Sequence, residues 1–427
     1  METLRIGARG PYVSMLQLAL LRSGFLNEEP DGIFGPRTQS AVITFQRASS
    51  LTPDGIVGPR TWSALSPYLL GYILITVQRG DTFYRLAQKF GTSVSAISVA
   101  NPNADASNLR IGTRLVIPLN FPVVPTNIPY TYDLLDFTVR GLKARYPFIE
   151  LGSIGTSVMG KQLYYLRLGS GANQVFYNAS HHANEWITTP VLMKFFEEYA
   201  EAATTGGSIF GTPANLLLRQ TSLYIVPMVN PDGVDLVTGA MSRSSPYYTR
   251  AQRIAADYPQ IPFPNGWQAN ILGTDLNLQY PAGWEQAREI KFAQGFTSPA
   301  PESYVGSAPL TAPESAAVHQ FTRSKDFSLV LAYHTQGRVI YWKFLDIEPP
   351  FGRQIARQFA EVSGYEVSET PVESSYAGYK DWFILEYNRP GFTIEAGVGV
   401  NPLPISQFDE IYRDNLGILA LGLTATT

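Results

Sequence analysis

Cysteine is absent from the chain, which excludes a disulfide frame and a thiol nucleophile. Its absence suits exposure to oxidants outside the cell without requiring it. Charge is scarce: only 16% of the 427 residues are charged and the net charge is −3, against ~25% charged residues in ordinary soluble domains. No basic footprint for nucleic acid exists. No apolar run reaches the ~18 residues of a membrane span. The opening Met1-Glu-Thr-Leu-Arg-Ile-Gly7 shows no basic leader followed by an apolar core, so no signal peptide is expected there. Histidine is limited to four residues. Tyr (24) and Phe (23), with Ser, Thr, Asn and Gly, fill the gap. Such a surface suits contact with carbohydrate or another neutral polar polymer. It equally reflects the habit of secreted proteins.

A chain this long implies two or three domains. Residues 1–70 carry a repeat: Asp31-Gly-Ile-Phe-Gly-Pro-Arg-Thr38 recurs as Asp54-Gly-Ile-Val-Gly-Pro-Arg-Thr61. Each copy reads as an Asp-Gly turn leading into a helix with proline just inside its start. Ser40-Ala-Val-Ile-Thr-Phe-Gln46 and Val13-Ser-Met-Leu-Gln-Leu-Ala-Leu-Leu21 have helical apolar spacing. This segment resembles the small three-helix peptidoglycan-binding domain found beside many cell-wall hydrolases.

Residues 71–120 change character. Ile73-Leu-Ile-Thr-Val77 reads as a strand. Asp81 or Thr82 caps a helix that ends at Gly91, Ser93 caps a second, and Leu115-Val-Ile-Pro118 closes as a strand. This βααβ order, with Gly80-Asp-Thr82 and the final Val-Ile-Pro, resembles the LysM module. The resemblance implies binding to N-acetylglucosamine-containing glycans. Tyr84 and the Asn101 loop either touch sugar or pack a core. Phe121-Pro-Val-Val-Pro-Thr-Asn-Ile-Pro129 reads as a stiff extended linker.

Residues 130–427 alternate strand-like and helical runs. Strands are expected at 174–178, 222–227, 329–333 and 391–395, and helices at 189–200, 312–325 and 353–363. The alternation predicts a mixed α/β domain with a largely internal sheet. Two of the four histidines are adjacent, in Asn178-Ala-Ser-His181-His182-Ala-Asn-Glu185-Trp186. They follow one expected strand, at the end where sites lie in open α/β sheets. Imidazole and carboxylate are normal zinc ligands, and two alone make a poor site. His334 ends another apolar strand, whereas His319 reads as a helix-face residue. From spacing alone either His181 or His182 could pair with Glu185.

His182-Ala-Asn-Glu185-Trp186, Asn230-Pro-Asp-Gly233, Asp275-Leu-Asn277, His334 and Phe392-Thr-Ile-Glu395 occur in the order of the zinc carboxypeptidase family. The resemblance spans about residues 150–400. It implies a doubly wound α/β domain around a mixed eight-stranded sheet. It further implies one Zn2+ per chain held by His182, Glu185 and His334, Glu395 as general base, and Asp275 steadying His182. His181 is left as a neighbour. Tyr376, with Tyr379 second, is the candidate for the family's mobile tyrosine. Asn277 and Tyr379 are expected to contact substrate.

Two departures matter. The family's carboxypeptidases have Asn-Arg where this chain has Asn277-Leu278. Leucine has no donor for a C-terminal carboxylate. The family's oxyanion arginine falls on Arg243, Arg250 or Arg253, with no choice among them. The family's pocket-floor position holds Lys380, a cation that either meets an acidic group after the scissile bond or points to solvent. With two wall-binding modules ahead of it, the chain resembles bacterial γ-D-glutamyl-L-diamino acid endopeptidases. The expected substrate is the peptidoglycan stem peptide, cut between γ-D-Glu and meso-diaminopimelate. The expected setting is the cell wall, secreted or sporulation-associated, as a monomer without nucleic-acid or membrane partners. A stem-peptide carboxypeptidase, or a wall-binding protein with an inactive peptidase domain, are the alternatives.

Overall fold

Asp-Gly turns and N-terminal prolines produce three helices, Pro11–Arg22, Pro36–Ala48 and Pro59–Leu70, in a computed structural model that describes residues 1–426. Each begins with proline, whose missing N–H costs nothing at that position. The repeat has a polar core of its own. Gln17 Nε2 donates to Asp31 Oδ1 (2.7 Å) and Thr38 Oγ1 (3.2 Å), while its Oε1 accepts from Asp31 and Gly32 N–H. Gln46 does the same with Asp54 (3.0 Å), Thr61 (3.2 Å) and Gly55 N–H. Gly32 and Gly55 both take left-handed φ, 70° and 71°, a conformation that glycine adopts without penalty. The recurring Asp-Gly and Thr of the sequence thus close one buried glutamine each.

Strands β1 (Tyr72–Thr76) and β2 (Arg114–Pro118) pair antiparallel around helices Phe83–Phe90 and Val94–Ala100. Thr82 and Ser93 cap those helices by accepting from Arg85 and Ala96 N–H. Asn101 is committed to structure: its Nδ2 donates to Ile97 O and Val116 O, and its Oδ1 accepts from Val116 N. Tyr84 is 64% exposed and open to a ligand.

Residues 121–129 are not a free spacer. Val123, Val124 and Ile128 are buried, and Arg22 and Arg145 donate to the carbonyls of Pro122 and Phe121. The helix Tyr132–Arg145 also belongs to this unit, which ends at Glu150. Gly141 lies so close to the preceding segment that an added Cβ would sit 2.2 Å from Leu70 O.

The second unit, from Leu151, holds the mixed sheet. Its strands are β3 (Glu150–Thr156), β4 (Gln162–Leu168), β5 (Asn173–Ala179), β8 (Thr221–Val226), β9 (Phe327–His334), β10 (Val339–Tyr341), β11 (Glu366–Ser368) and β12 (Gly391–Glu395). A separate hairpin joins β6 (Ser208–Ile209) and β7 (Thr212–Pro213). Among the described residues the sheet order is β11-β10-β12-β9-β5-β8-β4-β3. Strands β12, β9, β5 and β8 run parallel; β10 and β4 run antiparallel to their inner neighbours.

The parallel strands are covered on both faces, which is why β8 and β9 read as nearly continuous apolar runs. Phe176, Tyr224, Val330 and Ala332 pack against Val318, Phe321 and Trp382. On the opposite face Tyr177 bonds to Leu419 O of helix Phe408–Leu421. Each fully buried large apolar side chain contributes ~1.5–3 kcal/mol. The expected strands and helices of this segment are all present, within a few residues of their expected ends. The chain leaves β5 toward β8 and returns to β9 on the other side. The strand order therefore reverses between β5 and β9, and the crevice outside their C-terminal ends is where ligands bind in such sheets.

Candidate metal centre and its cleft

Register brings the chemistry together. Glu395 of β12 lies directly beside His334 of β9, and Ala179 of β5 lies beside Tyr333. Three neighbouring parallel strands therefore end at one edge. After β5 the chain turns sharply at Ser180, whose φ is +54°. A non-glycine residue there carries local strain. The strain is held by Thr188 Oγ1 on Ser180 N–H (3.1 Å) and Asn230 N–H on Ser180 O (3.0 Å). A single 3-10 turn, Ala183–Glu185, follows. Its spacing stacks residues i and i+3, so His182 and Glu185 share a face.

His182 Nδ1 lies 3.0 Å from Glu185 Oε1, His334 Nδ1 lies 2.8 Å from Glu185 Oε2, and the two Nδ1 atoms are 3.3 Å apart. His182 Nε2 lies 3.2 Å from Asp275 Oδ1. If Nε2 carries the proton toward Asp275, the lone pair of Nδ1 faces the same point as the carboxylate and the His334 nitrogen. Three donors crowded around one point repel one another unless a cation lies between them. A tetrahedral zinc with ligands at ~2.0–2.2 Å requires donor separations of roughly 3.3 Å. The residues therefore fit zinc.

Asp275 is held in turn by N–H groups of Asn277 (3.0 Å) and Ser303 (3.1 Å). Burial alone would raise its carboxyl, but His182 and those donors outweigh it and hold it below the usual range. Burial likewise opposes charge on His182, yet Glu185 and Asp275 hold its pKa well above the ordinary imidazole value. Glu395 is pushed up to about 7: burial raises it, His334 opposes, Glu185 adds and His182 opposes.

His182, His334, Asp275 and Glu395 line one cleft of about 270 Å³, together with Asn277 and Lys380. Asn277 Oδ1 accepts from Tyr379 N–H (3.0 Å), which fixes its amide. Leu278 also reaches the cleft but is packed among Trp284, Val305 and Ala377.

Other site expectations are placed differently. Tyr379 is fully buried, 5.9 Å from the His181 ring and bonded to Thr322, so it does not reach substrate. Tyr376 is half-buried against Gly283 and Phe344 and faces an adjoining cavity rather than the cleft. Lys380 does not present a free charge: its ammonium pairs with Asp381 and donates to Lys343 O (2.6 Å). Arg243, Arg250 and Arg253 are exposed, and none lines the cleft. His181 is fully buried, with Nε2 2.9 Å from Tyr280 OH, and burial first, then its histidine neighbours, holds its pKa well below normal. His319 packs on Trp382, 4.4 Å between ring centres. Among the residues that the sequence did not single out, Lys291 and Gln268 line the cleft. Neither sits in a recognisable motif.

A sheet with two imidazoles and a carboxylate converging at its parallel strand ends, and a further carboxylate beside them, defines a metallohydrolase. Residues 137–417 match the zinc carboxypeptidase family, 9–65 a peptidoglycan binding domain and 75–118 the LysM domain. The chain belongs to the zinc carboxypeptidase family and is a zinc metallopeptidase. It is 46% identical to gamma-D-glutamyl-L-diamino acid endopeptidase 1 of Lysinibacillus sphaericus over 296 residues, covering 69% of this chain and 72% of that one. It is 32% identical to carboxypeptidase B of Bos taurus over 267 residues, 58% of this chain and 57% of that one. The crystal structure of thrombin activatable fibrinolysis inhibitor shares the fold, with a TM-score of 0.55 at 18% identity over 83% of this chain and 98% of that one. No helix among the described residues is long and apolar enough to cross a membrane.

Proposed function

We propose that this chain is a peptidoglycan hydrolase that cuts the γ-D-Glu–meso-diaminopimelate bond of stem peptides. The observation that carries the reading is the 46% identity, over 69% of this chain, to an endopeptidase of that name. Leu278 at the position of the family's carboxylate clamp supports it, because an endopeptidase needs no grip on a free C-terminus. The segments 1–70 and 71–120 then serve wall binding, and hydrolysis falls to the unit from Leu151 rather than to the whole of residues 130–427. Tethering to the polymer raises the local substrate concentration, so weak glycan contacts suffice. The protein acts as a monomer at the cell wall, including wall remodelled during sporulation.

His182, Glu185 and His334 are the zinc ligands in this reading. Bound zinc supplies Lewis acidity and brings the pKa of water down to ~7. Asp275 fixes the His182 tautomer and ring orientation through Nε2. Glu395 takes a proton from the attacking water and delivers it to the departing amine, as a buried carboxylate with a raised pKa is suited to do. Asn277 offers its side-chain amide to the substrate backbone.

Mass spectrometry of digested muropeptides tests the proposal. Internal cuts after γ-D-Glu are expected. Loss of one C-terminal residue instead would make the chain a stem-peptide carboxypeptidase. Turnover equal in the wild type and Glu395→Ala would remove the catalytic assignment and leave a wall-binding protein.

A further inference from the structure

The cleft contains two cations, Lys291 and Lys380, and three lining carboxylates, Asp275, Asp381 and Glu395. Most of these charges already have partners. Asp275 holds His182 and two backbone N–H groups. Asp381 pairs with Lys380, whose ammonium is also spent on Lys343 O and Thr370 Oγ1. Lys343, in the adjoining cavity, pairs with Glu369 at 2.8 Å. Two groups remain uncommitted. Glu395 makes no side-chain hydrogen bond among the described residues, which suits a base awaiting water. The Lys291 ammonium makes neither a hydrogen bond nor an ion pair within 4 Å among them.

Lys291 is half-buried in the last turn of helix Trp284–Ala293. It lines the same cleft as His182 and Asp275, and Glu302 is near enough to feel its charge. No arginine lines the cleft, and Leu278 supplies no donor. A half-buried ammonium on a cleft wall, with no carboxylate within 4 Å among the described residues and only Glu302 near enough to feel its charge, favours an anion that enters the cleft.

We infer that Lys291 is the specificity-determining cation of this cleft and pairs with a free carboxylate of the substrate next to the scissile bond. The inference rests on the stem-peptide reading above and deepens it. Two carboxylates of such a substrate have that chemistry. A γ-linked glutamate keeps its α-carboxylate free, and a diaminopimelate residue carries a second carboxylate on its side chain. Lys380 is excluded from the role because Asp381 already neutralises it.

The test uses the full zinc-loaded chain and three tetrapeptides, L-Ala-γ-D-Glu-meso-diaminopimelate-D-Ala and its two amides, one at the glutamate α-carboxyl and one at the diaminopimelate side-chain carboxyl. The wild type should prefer the free acid over one of the amides by about tenfold or more, as the loss of a charge-assisted bond implies. The amide that suffers identifies the carboxylate. Lys291→Gln should erase that preference by raising KM for the free acid while leaving zinc content and thermal midpoint unchanged, and Lys291→Arg should restore much of it. A preference that survives in Lys291→Gln, an absence of preference in the wild type, or a preference erased instead by Lys380→Met would each overturn the assignment. A wild type that does not cut after γ-D-Glu would refute the stem-peptide reading, and with it the inference. A wild type that cuts there but keeps its preference in Lys291→Gln would refute the inference alone.

Discussion

Replacing Asp275 with Asn is a sharp test of how the centre is built. The carboxylate serves three donors: His182 Nε2 and Asn277 N–H on Oδ1, and Ser303 N–H on Oδ2. An asparagine of the same shape keeps only one acceptor oxygen. If that oxygen stays on His182 and Asn277, its NH2 group faces the Ser303 N–H, donor against donor. If the amide flips, Ser303 is served and His182 is not. Either way one buried donor is lost, and the negative charge that favours Nε2–H on His182 goes with it. A hydrogen bond to a charged group is worth about 1.5–3 kcal/mol. About 2 kcal/mol corresponds to a roughly 30-fold weaker zinc affinity, within the 10–100-fold range typical of such partners. Zinc affinity measured by chelator competition, with kcat/KM alongside, should fall together by that order. An affinity within threefold of the wild type would refute the argument that Asp275 sets the His182 tautomer.

Glu395→Gln should lower kcat by about 10²–10⁴-fold with zinc content intact; metal loss in this variant would mean that Glu395 acts through the ligands. The wild-type kcat/KM should rise with pH along an acid limb at or below about 7, because Glu395 must be ionised to accept a proton and bound zinc can only pull its raised pKa down; an acid limb well above that value would exclude Glu395 as the base. His182→Gln should abolish stoichiometric zinc binding. His181→Gln should retain it while lowering the thermal midpoint by several degrees, since His181 is buried between His334 and Tyr379 and bonded to Tyr280. Gly141→Ala places a Cβ 2.2 Å from Leu70 O and should destabilise the first unit by about 1–3 kcal/mol, read as an earlier unfolding transition.

The central parallel strands were legible because buried parallel strands must be apolar almost throughout, and β8 and β9 are. The edge strands β10 and β11 are three residues each, too short for any periodicity to declare them. Residues 121–129 misled through their prolines. What decides their packing is Val123, Val124 and Ile128, which are buried against their own unit. Tyr379 and Lys380 misled for a geometric reason. Consecutive helical residues point about 100° apart, so the first turn of helix Tyr379–Tyr387 sends one into the core and the other toward the cleft.

Charge at the cleft follows the same logic. Sequence proximity cannot show that Asp381, the residue next to Lys380, quenches its charge. Nor can it show that Lys291, far from every motif, faces the same space as His182. Metal ligands are read from scarce residue types at fixed spacing, because coordination demands particular atoms. Specificity depends instead on which charge is left unpaired once the chain has folded. Here Leu278 is packed in an apolar cluster and Lys380 is neutralised. Specificity in this cleft therefore rests on Leu278 and Lys380, which offer a carboxylate no free charge, and on Lys291, which does.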